Sequence, residues 1–141
     1  MKTLRSMLFV PGDSEKKLAK AFSTQADALI LDLEDSVSPE RLPLARQMVC
    51  AYLSDHPRGQ QAVWVRINPL QTEFALHDLA AVMPGRPDGI LLPKSLNAQD
   101  VVKLDHYLSA LETREGIALG TTLPRPQIDV SSSTSASRPI T

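Results

Sequence analysis

The sequence predicts an α/β protein in which four parallel strands alternate with four helices. Four short, continuously apolar runs are bounded by polar residues, proline or glycine, which is typical of strands buried on both faces. Amphipathic stretches with helical spacing lie between the runs. Strands that alternate with helices in this way pair in parallel through right-handed crossovers. The pattern fits an open doubly wound sheet and part of a (β/α)₈ barrel equally well.

The elements follow one another regularly over residues 1–120. The runs that predict strands are 7–10, 28–31, 62–65 and 89–92. Helices are predicted at 14–23, in a stretch that begins at Ser38 and Pro39, at 74–83 and at 98–114. Asp13 or Ser14 would be the N-cap of the first helix. Each helix carries apolar residues three or four positions apart, so one face is expected to pack on the sheet.

The composition is that of an ordinary globular domain and argues against several classes of protein. The chain has 141 residues, of which 43% are hydrophobic and 22% are charged. A formal net charge of -1 argues against a general binder of nucleic acid or of anionic membranes. No apolar run reaches the roughly 18–20 residues that a membrane span needs. Because Cys50 is the single cysteine, no internal disulfide can form, and we expect a cytoplasmic protein.

The composition changes after residue 120. Ser, Thr and Pro supply 12 of the 21 residues from 121 to 141. Such a segment buries too little apolar surface to offset the entropy lost on ordering it. We therefore expect one domain over residues 1–120 and a disordered tail over residues 121–141.

Polar residues follow the predicted strands at the end where parallel α/β folds collect their chemistry. These residues are Asp32, Glu34, Asp35, Arg66, Asn68 and Lys94. The carboxylates could hold Mg²⁺ through water or act as a general base, or they could cap a helix or pair with a cation. A buried Arg66 needs an anion, either a protein carboxylate such as Glu34 or a substrate carboxylate. Lys94 has the same choice, and a Schiff-base role is a further alternative.

Six stretches occur together and in a fixed order along the chain. They are 5–12 (RSMLFVPG), Lys20-Ala21, 26–37 (ADALILDLEDSV), Ala45-Arg46, 65–68 (VRIN) and 92–94 (LPK). In combination they resemble the citrate lyase beta-subunit family, which belongs to the HpcH/HpaI aldolase group together with malyl-CoA lyase. The resemblance covers about residues 4–120. It implies that these four βα units are the N-terminal half of a TIM (β/α)₈ barrel.

The resemblance also implies a reaction and roles for particular residues. It implies a Mg²⁺-dependent carbon–carbon lyase that acts on an acyl-CoA or on a 2-hydroxy or keto acid thioester, with the metal stabilising an enolate. Arg66 would bind the substrate carboxylate. Lys94 would lie beside it at the rim, by which we mean the edge of the sheet formed by the carboxyl ends of the strands. Glu34 and Asp35 would be the catalytic acids next to the metal and its waters. Lys20 would lie near the CoA side of the substrate.

The length departs from the family. Its members are about twice as long, because a full barrel takes about 250 residues. Their direct metal ligands, a Glu after strand five and an Asp after strand six, are expected in the missing C-terminal half. Glu112 and Thr113 fall inside the fourth predicted helix and are not the family's Glu-Thr motif. A gene fragment, or an early stop after a shifted reading frame, would produce such a chain.

Half a barrel would leave hydrophobic strand edges uncovered. We expect free edges at the first and fourth strands, inner side chains that face water, and homo-oligomers or aggregates that form through these edges. We also expect little or no lyase activity from the isolated chain. The alternative is a non-catalytic binding or oligomerisation module that uses Arg66 and the exposed edges. A third possibility, a flavodoxin-like phosphoacceptor, would need an acidic pair at the first strand, and residues 7–10 supply none.

Overall fold

A computed structural model describes residues 6–59, 61–95 and 97–127, and this part of the chain contains five parallel strands and four α-helices. The strands are Met7–Pro11 (β1), Ala28–Asp32 (β2), Ala62–Arg66 (β3), Gly89–Leu92 (β4) and Leu123–Pro126 (β5). The helices are Glu15–Ala21 (α1), Leu42–Asp55 (α2), Ala75–Val82 (α3) and Ala98–Glu115 (α4). The four predicted strands and the four predicted helices are therefore confirmed.

Local capping explains where two of the helices begin and end. The Ser14 side chain accepts a hydrogen bond from the backbone N–H of Lys17, which satisfies a free donor in the first turn of α1. Asn97 caps α4 in the same way, and α4 ends at Gly116, whose φ of 71° suits a residue without a side chain. Before α2, Pro39–Arg41 form a short 3-10 helix, and Ser38 makes no side-chain cap there.

The sheet has the strand order β1-β2-β3-β4-β5, so each strand pairs with its neighbour in sequence. One face of the sheet packs against the helices and forms the main hydrophobic core. Its sheet residues include Leu29, Leu31, Val63, Val65, Ile90 and Leu92. A smaller cluster on the other face consists of Ala28, Ile30 and Trp64. The sequential parallel order is the one that successive βα units of a barrel require.

The expectation that the inner side chains face water is wrong for the middle of the sheet. Ile30 is 2% exposed and Trp64 is 9% exposed, because the Trp64 ring lies over Gly89 and fills the space of a missing side chain. The expectation holds at the first strand, where Met7 is 58% exposed and Phe9 is 42% exposed. The large Trp64 side chain therefore shields the central strands from water on this face of the sheet.

The fifth strand corrects the predicted boundary at residue 120. Leu123–Pro126 pair in parallel with β4, so the tail expected over residues 121–141 is ordered here and the edge of β4 is covered. Glu112 explains the ordering, because its buried carboxylate accepts hydrogen bonds from the backbone N–H groups of Gly120 (3.0 Å) and Thr122 (2.8 Å). Glu112 lies in α4, as predicted. Residues 128–141, the remainder of the predicted tail, lie outside the described residues.

Two further features bear on the surface of the molecule. Within residues 6–59, 61–95 and 97–127, β1 has β2 on one side and no strand on the other. None of the described helices is long and apolar enough to cross a membrane.

Candidate functional site

Asp32 and Arg66 form a buried ion pair at the carboxyl ends of β2 and β3. The two residues are partners in the strand register, and Arg66 Nε donates to Asp32 Oδ1 at 2.7 Å. A buried ion pair is tolerated only when hydrogen bonds satisfy its remaining atoms. The backbone N–H groups of Glu34 and Ser36, both at 2.9 Å, and the Ser36 hydroxyl at 2.7 Å supply these bonds to Asp32. The pair is therefore a fixed part of the fold.

Both members of this pair are held in their charged forms. Burial raises the pKa of Asp32, but hydrogen bonds from Arg66, from Ser36 and from the backbone outweigh burial, so this pKa lies below its usual value. Burial lowers the pKa of Arg66, and the hydrogen bond and charge of Asp32, together with the charges of Glu34 and Asp35, raise it above its ordinary value. Arg66 thus remains a cation at the rim of the sheet.

Glu34 lies between two cations. Its Oε1 is 3.7 Å from Arg66 Nε, and its Oε2 accepts a hydrogen bond from Lys94 Nζ. That hydrogen bond raises the pKa of Lys94, whose Nζ also lies 3.8 Å from Asp35 Oδ1. Lys94 has a φ of 51°, a left-handed conformation that non-glycine residues rarely adopt and that is enriched at functional sites. The turn after β4 therefore holds a strained backbone conformation at Lys94, the residue whose cation it brings to Glu34.

A cavity of about 320 Å³ opens beside the ion pair. Its lining residues are Phe9, Pro11, Lys17, Asp32, Asp35, Ser36 and Arg66. The Arg66 guanidinium carbon lies 4.7 Å from the centroid of the Phe9 ring, in a cation–π contact. Arg66 Nη1 donates to Gln127 Oε1 at 3.2 Å, and among the described residues no acceptor meets Nη2. The guanidinium can therefore donate to an anion that enters this cavity.

Gly12 allows the first loop to approach the site. Its backbone N–H donates to the carbonyl oxygen of Asp32 at 2.8 Å. A Cβ atom at this position would lie 2.7 Å from that oxygen and 2.9 Å from Cγ2 of Val49. Only glycine fits such a close approach of two backbones. The Pro11-Gly12 turn is thus a packing requirement of this edge of the sheet.

The structure brings together four of the five residues predicted from the sequence. Glu34, Asp35, Arg66 and Lys94 lie at one rim, as expected from their positions after strands. Lys20 is exposed in the last turn of α1 and is not among the residues that line the cavity. Its proposed place near the CoA side stays a prediction.

Sequence reasoning missed several partners in the site. It offered Glu34 as the protein partner of Arg66, whereas the 2.7 Å contact is made by Asp32. The signal for Asp32 was available, since an Asp that ends a strand readily accepts from backbone N–H groups two to four residues later. Lys17, one turn before Lys20, lines the cavity. Nothing in the sequence indicated Gln127 as a partner of Arg66, because it lies in the segment expected to be disordered.

The acids at the rim do not fit Mg²⁺ as direct ligands. Within the part of the chain that the structure describes, no group of three or more His, Cys, Asp and Glu residues is placed to hold a metal ion. Asp32 and Glu34 are each engaged by a cation, and the Asp35 side chain is 68% exposed. A metal that demands several oxygen ligands would have to compete with Arg66 and Lys94 for these carboxylates.

Comparison with known proteins identifies relatives for nearly the whole described chain. The sequence model of the HpcH/HpaI aldolase/citrate lyase family matches residues 5–132. The citrate lyase subunit beta of Haemophilus influenzae is 39% identical over 123 residues, which cover 86% of this chain and 42% of the relative. A (3S)-malyl-CoA thioesterase of Cereibacter sphaeroides is 39% identical over 97 residues, which cover 69% of this chain and 34% of the relative.

Solved structures agree with these relatives. The citrate lyase beta subunit of Mycobacterium tuberculosis, complexed with oxaloacetate and magnesium, is 30% identical and superposes with a TM-score of 0.59 over 84% of this chain and 55% of that chain. The malate synthase of Haloferax volcanii superposes with a TM-score of 0.73 over 87% of this chain and 39% of that chain, but at 16% identity it shares the fold alone.

These neighbours are barrels, and the five strands described here match part of them, which confirms the predicted fold class. The chain spans about 40% of the length of the citrate lyase beta subunits that it matches. It belongs to the HpcH/HpaI aldolase/citrate lyase family.

Proposed function

We propose that the described residues form the acid-binding side of a carbon–carbon lyase site, and that Arg66 binds the carboxylate of a 2-hydroxy or keto acid or of its CoA thioester. The observation that carries this proposal is the state of the Arg66 guanidinium. Asp32 holds and neutralises its Nε side, while Nη2 has no acceptor among the described residues at the 320 Å³ cavity. A guanidinium presented in this way matches a carboxylate in geometry and charge.

The neighbouring charges support the same reaction class. Cleavage of a carbon–carbon bond beside a carbonyl places negative charge on the carbonyl oxygen, and fixed positive groups stabilise that charge. Arg66 and Lys94 supply such groups at the rim, with Glu34 between them. We assign Glu34 and the exposed Asp35 as the acids that lie next to the reacting atoms. Lys20 is kept as a candidate contact for the CoA moiety.

Mg²⁺ belongs to the proposal by family, because solved relatives are complexes with magnesium. When bound, the ion would polarise the oxygen atoms of the acid. Since the described acids do not fit as direct ligands, we place those ligands outside the described residues. Because the chain spans about 40% of the length of the citrate lyase beta subunits that it matches, we expect little or no lyase activity from the 141-residue chain alone. Robust turnover of malyl-CoA or citramalyl-CoA by the purified chain with Mg²⁺ would contradict this part of the proposal.

Carboxylate binding can be tested without turnover. Oxaloacetate, which a solved relative binds, is titrated into the purified chain by isothermal calorimetry. The Arg66→Lys variant keeps the charge but loses the two-pronged geometry, so we expect its affinity to fall by about tenfold or more. Arg41→Lys is the matched control, because Arg41 pairs with Asp13 and is not among the residues that line the cavity. Equal affinities for the wild type and Arg66→Lys would refute the role of Arg66.

A second candidate function rests on the exposed first strand. Met7, Leu8 and Phe9 are consecutive, apolar and 58%, 39% and 42% exposed, on the side of the sheet where β1 has no strand partner among the described residues. Such an edge favours pairing with another chain. We infer that the protein can act as a non-catalytic oligomerisation or binding module through this edge, in the form of a homo-oligomer. A cytoplasmic location, based on the single Cys50, remains part of this proposal.

A further inference from the structure

A further buried carboxylate, that of Asp78, lies close to the ends of β2 and β3 but does not line the cavity. Asp78, in the first turn of α3, is 0% exposed. Its Oδ1 accepts from Arg46 Nε at 2.8 Å, and its Oδ2 accepts from the backbone N–H (2.9 Å) and the side-chain amide (2.8 Å) of Asn68. A charge removed so completely from water is costly unless it is paired and hydrogen-bonded. Asp78 therefore fixes whatever it binds.

The segment that Asp78 binds belongs to the functional site. Asn68 follows Arg66 by two residues, and its side-chain amide also donates to the carbonyl oxygen of Leu33 at 3.0 Å. Leu33 stands between Asp32 and Glu34, and its own N–H donates to the carbonyl oxygen of Arg66 at 2.9 Å. One buried carboxylate thus ties the chain after β3 to the chain after β2, which are the two segments that supply the ion pair.

We propose that Asp78 is a positioning residue, which acts through Asn68 to hold the Arg66 guanidinium against Asp32 in the orientation that receives a carboxylate. The proposal rests on the proposed function of Arg66. Asp78 touches neither the cavity nor Arg66, so its effect is transmitted by the backbone of residues 66–68. Residues that orient metal ligands from behind commonly change affinity by about 10–100-fold when they are removed, and we expect an effect of the same order on the Arg66 guanidinium.

Two variants test the proposal. Asp78→Asn keeps the size of the side chain but replaces one acceptor oxygen with an NH₂ group, which cannot accept the bonds that converge there. Asn68→Ala leaves the pair between Asp78 and Arg46 in place and removes the link to Leu33, so it also serves if Asp78→Asn does not fold. Asp88→Asn is the control. Asp88 accepts from the backbone N–H of Val63 at 2.7 Å, at the opposite end of β3.

The first measurement needs no ligand. Solvent exchange of the Arg66 Nε–H, followed by NMR well below the melting temperature, reports how firmly the guanidinium is held. We expect exchange at least about tenfold faster in Asp78→Asn and in Asn68→Ala than in Asp88→Asn, with the backbone amides of β2 unchanged. A purely structural role of Asp78 would speed the β2 amides and Arg66 equally. Equal acceleration, or an unchanged Arg66 signal in a folded variant, overturns the proposal.

The second measurement is oxaloacetate affinity by calorimetry. We expect a loss of about tenfold in Asp78→Asn and Asn68→Ala and no change in Asp88→Asn. If the wild-type chain binds no oxaloacetate, the proposed function of Arg66 fails, whereas the exchange measurement still decides whether Asp78 positions the guanidinium. If the wild type binds and both variants bind equally well, the positioning role is refuted while the proposed function stands.

Discussion

At the scale of single residues, the site depends on how one carboxylate is shared between fold and function. The Asp32 carboxylate accepts four hydrogen bonds, and only one of them comes from Arg66. The other three come from Glu34 and Ser36, so Asp32 stays in place whether or not a ligand engages the guanidinium. A preorganised partner of this kind removes part of the ordering cost of binding. It also makes Asp32 a measurable contributor to stability.

The pH dependence of folding should identify Asp32. Because its pKa is lowered in the folded state, its stabilising contribution is present above the unfolded value of 3.8 and is lost as the pH falls through the lower, folded value. Asp32→Asn should therefore be less stable than the wild type by about 3 kcal/mol at pH 7, since one partner of a buried ion pair is lost. The difference should shrink on acidification below pH 3.8. Urea unfolding across this range measures both.

Two features make this comparison clean. Burial raises the pKa of Asp78, which acts in the opposite sense, but Asp78 is present in both proteins and cancels in the difference. Asp13→Asn is the control, because Asp13 pairs with Arg41, whose side chain is 51% exposed, and should change stability by only about 1 kcal/mol. A difference between Asp32→Asn and the wild type that stays constant on acidification would contradict the assignment.

At the scale of elements, the four apolar runs and their helices were predictable because burial on both faces leaves an unbroken signal. The fifth strand was not, because Leu123–Pro126 contains two prolines and no apolar run. The prolines are tolerated because the hydrogen bonds at the two ends of β5 are donated by other residues. The N–H of Leu123 donates to the carbonyl oxygen of Asp88 at 3.1 Å, and the N–H of Gln127 donates to that of Leu92 at 2.8 Å. The formation of β5 depends on pairing with β4 and on hydrogen bonds to Glu112. Neither of these contacts can be inferred from the composition of the segment itself.

The site divides along the same line. The strand-end rule correctly placed Glu34, Arg66 and Lys94 at one rim, because all parallel strands end on the same side. The choice of Asp32 as the closest partner depends on register and side-chain torsion, which periodicity does not encode. The role of Asp78 was hidden for another reason. It lies in an amphipathic helix, where an acid in the first turn is usually explained by the helix dipole.

The packing of β3 on β4 can be tested at one glycine. A Cβ atom at Gly89 would lie 2.3 Å from Cζ3 of Trp64, so Gly89→Ala must displace the indole ring. We expect a loss of about 1–3 kcal/mol in the free energy of unfolding, which is typical of an overpacked core. Trp64 is the only tryptophan, so its fluorescence reports both the unfolding transition and the shift of the ring.

Gly59 provides the matched control for this substitution. Nothing lies within 4 Å of a Cβ atom at position 59, so Gly59→Ala should stay within about 0.5 kcal/mol of the wild type and leave the fluorescence maximum unchanged. Equal stabilities for Gly89→Ala and Gly59→Ala would show that Trp64 does not rest on the backbone of β4.

At the scale of the whole molecule, the two faces of the sheet differ in how fully they are covered. Helices pack against one face and form the main core with it, whereas the other face depends on Trp64 and on what covers the strands at its margins. The β5 strand covers β4 and carries Arg125 between its prolines, so that margin is short and charged. Natural sheets protect their edges by such devices. The sequence of β1, Met7–Pro11, contains no charge at all.

Self-association through β1 is therefore the prediction that belongs to the whole chain. A lysine in an edge strand opposes pairing with a second strand. Met7 is the site for it because its side chain is 58% exposed, whereas Phe9 is engaged by Arg66 in the cation–π contact. We expect the wild-type chain to associate with increasing concentration in sedimentation velocity, and Met7→Lys to require about tenfold more protein for the same association. Leu76→Lys, on the outer surface of α3 and 53% exposed, should behave like the wild type. A wild type that sediments as a monomer throughout, or a Leu76→Lys variant that dissociates equally, would assign the exposed residues of β1 no role in assembly.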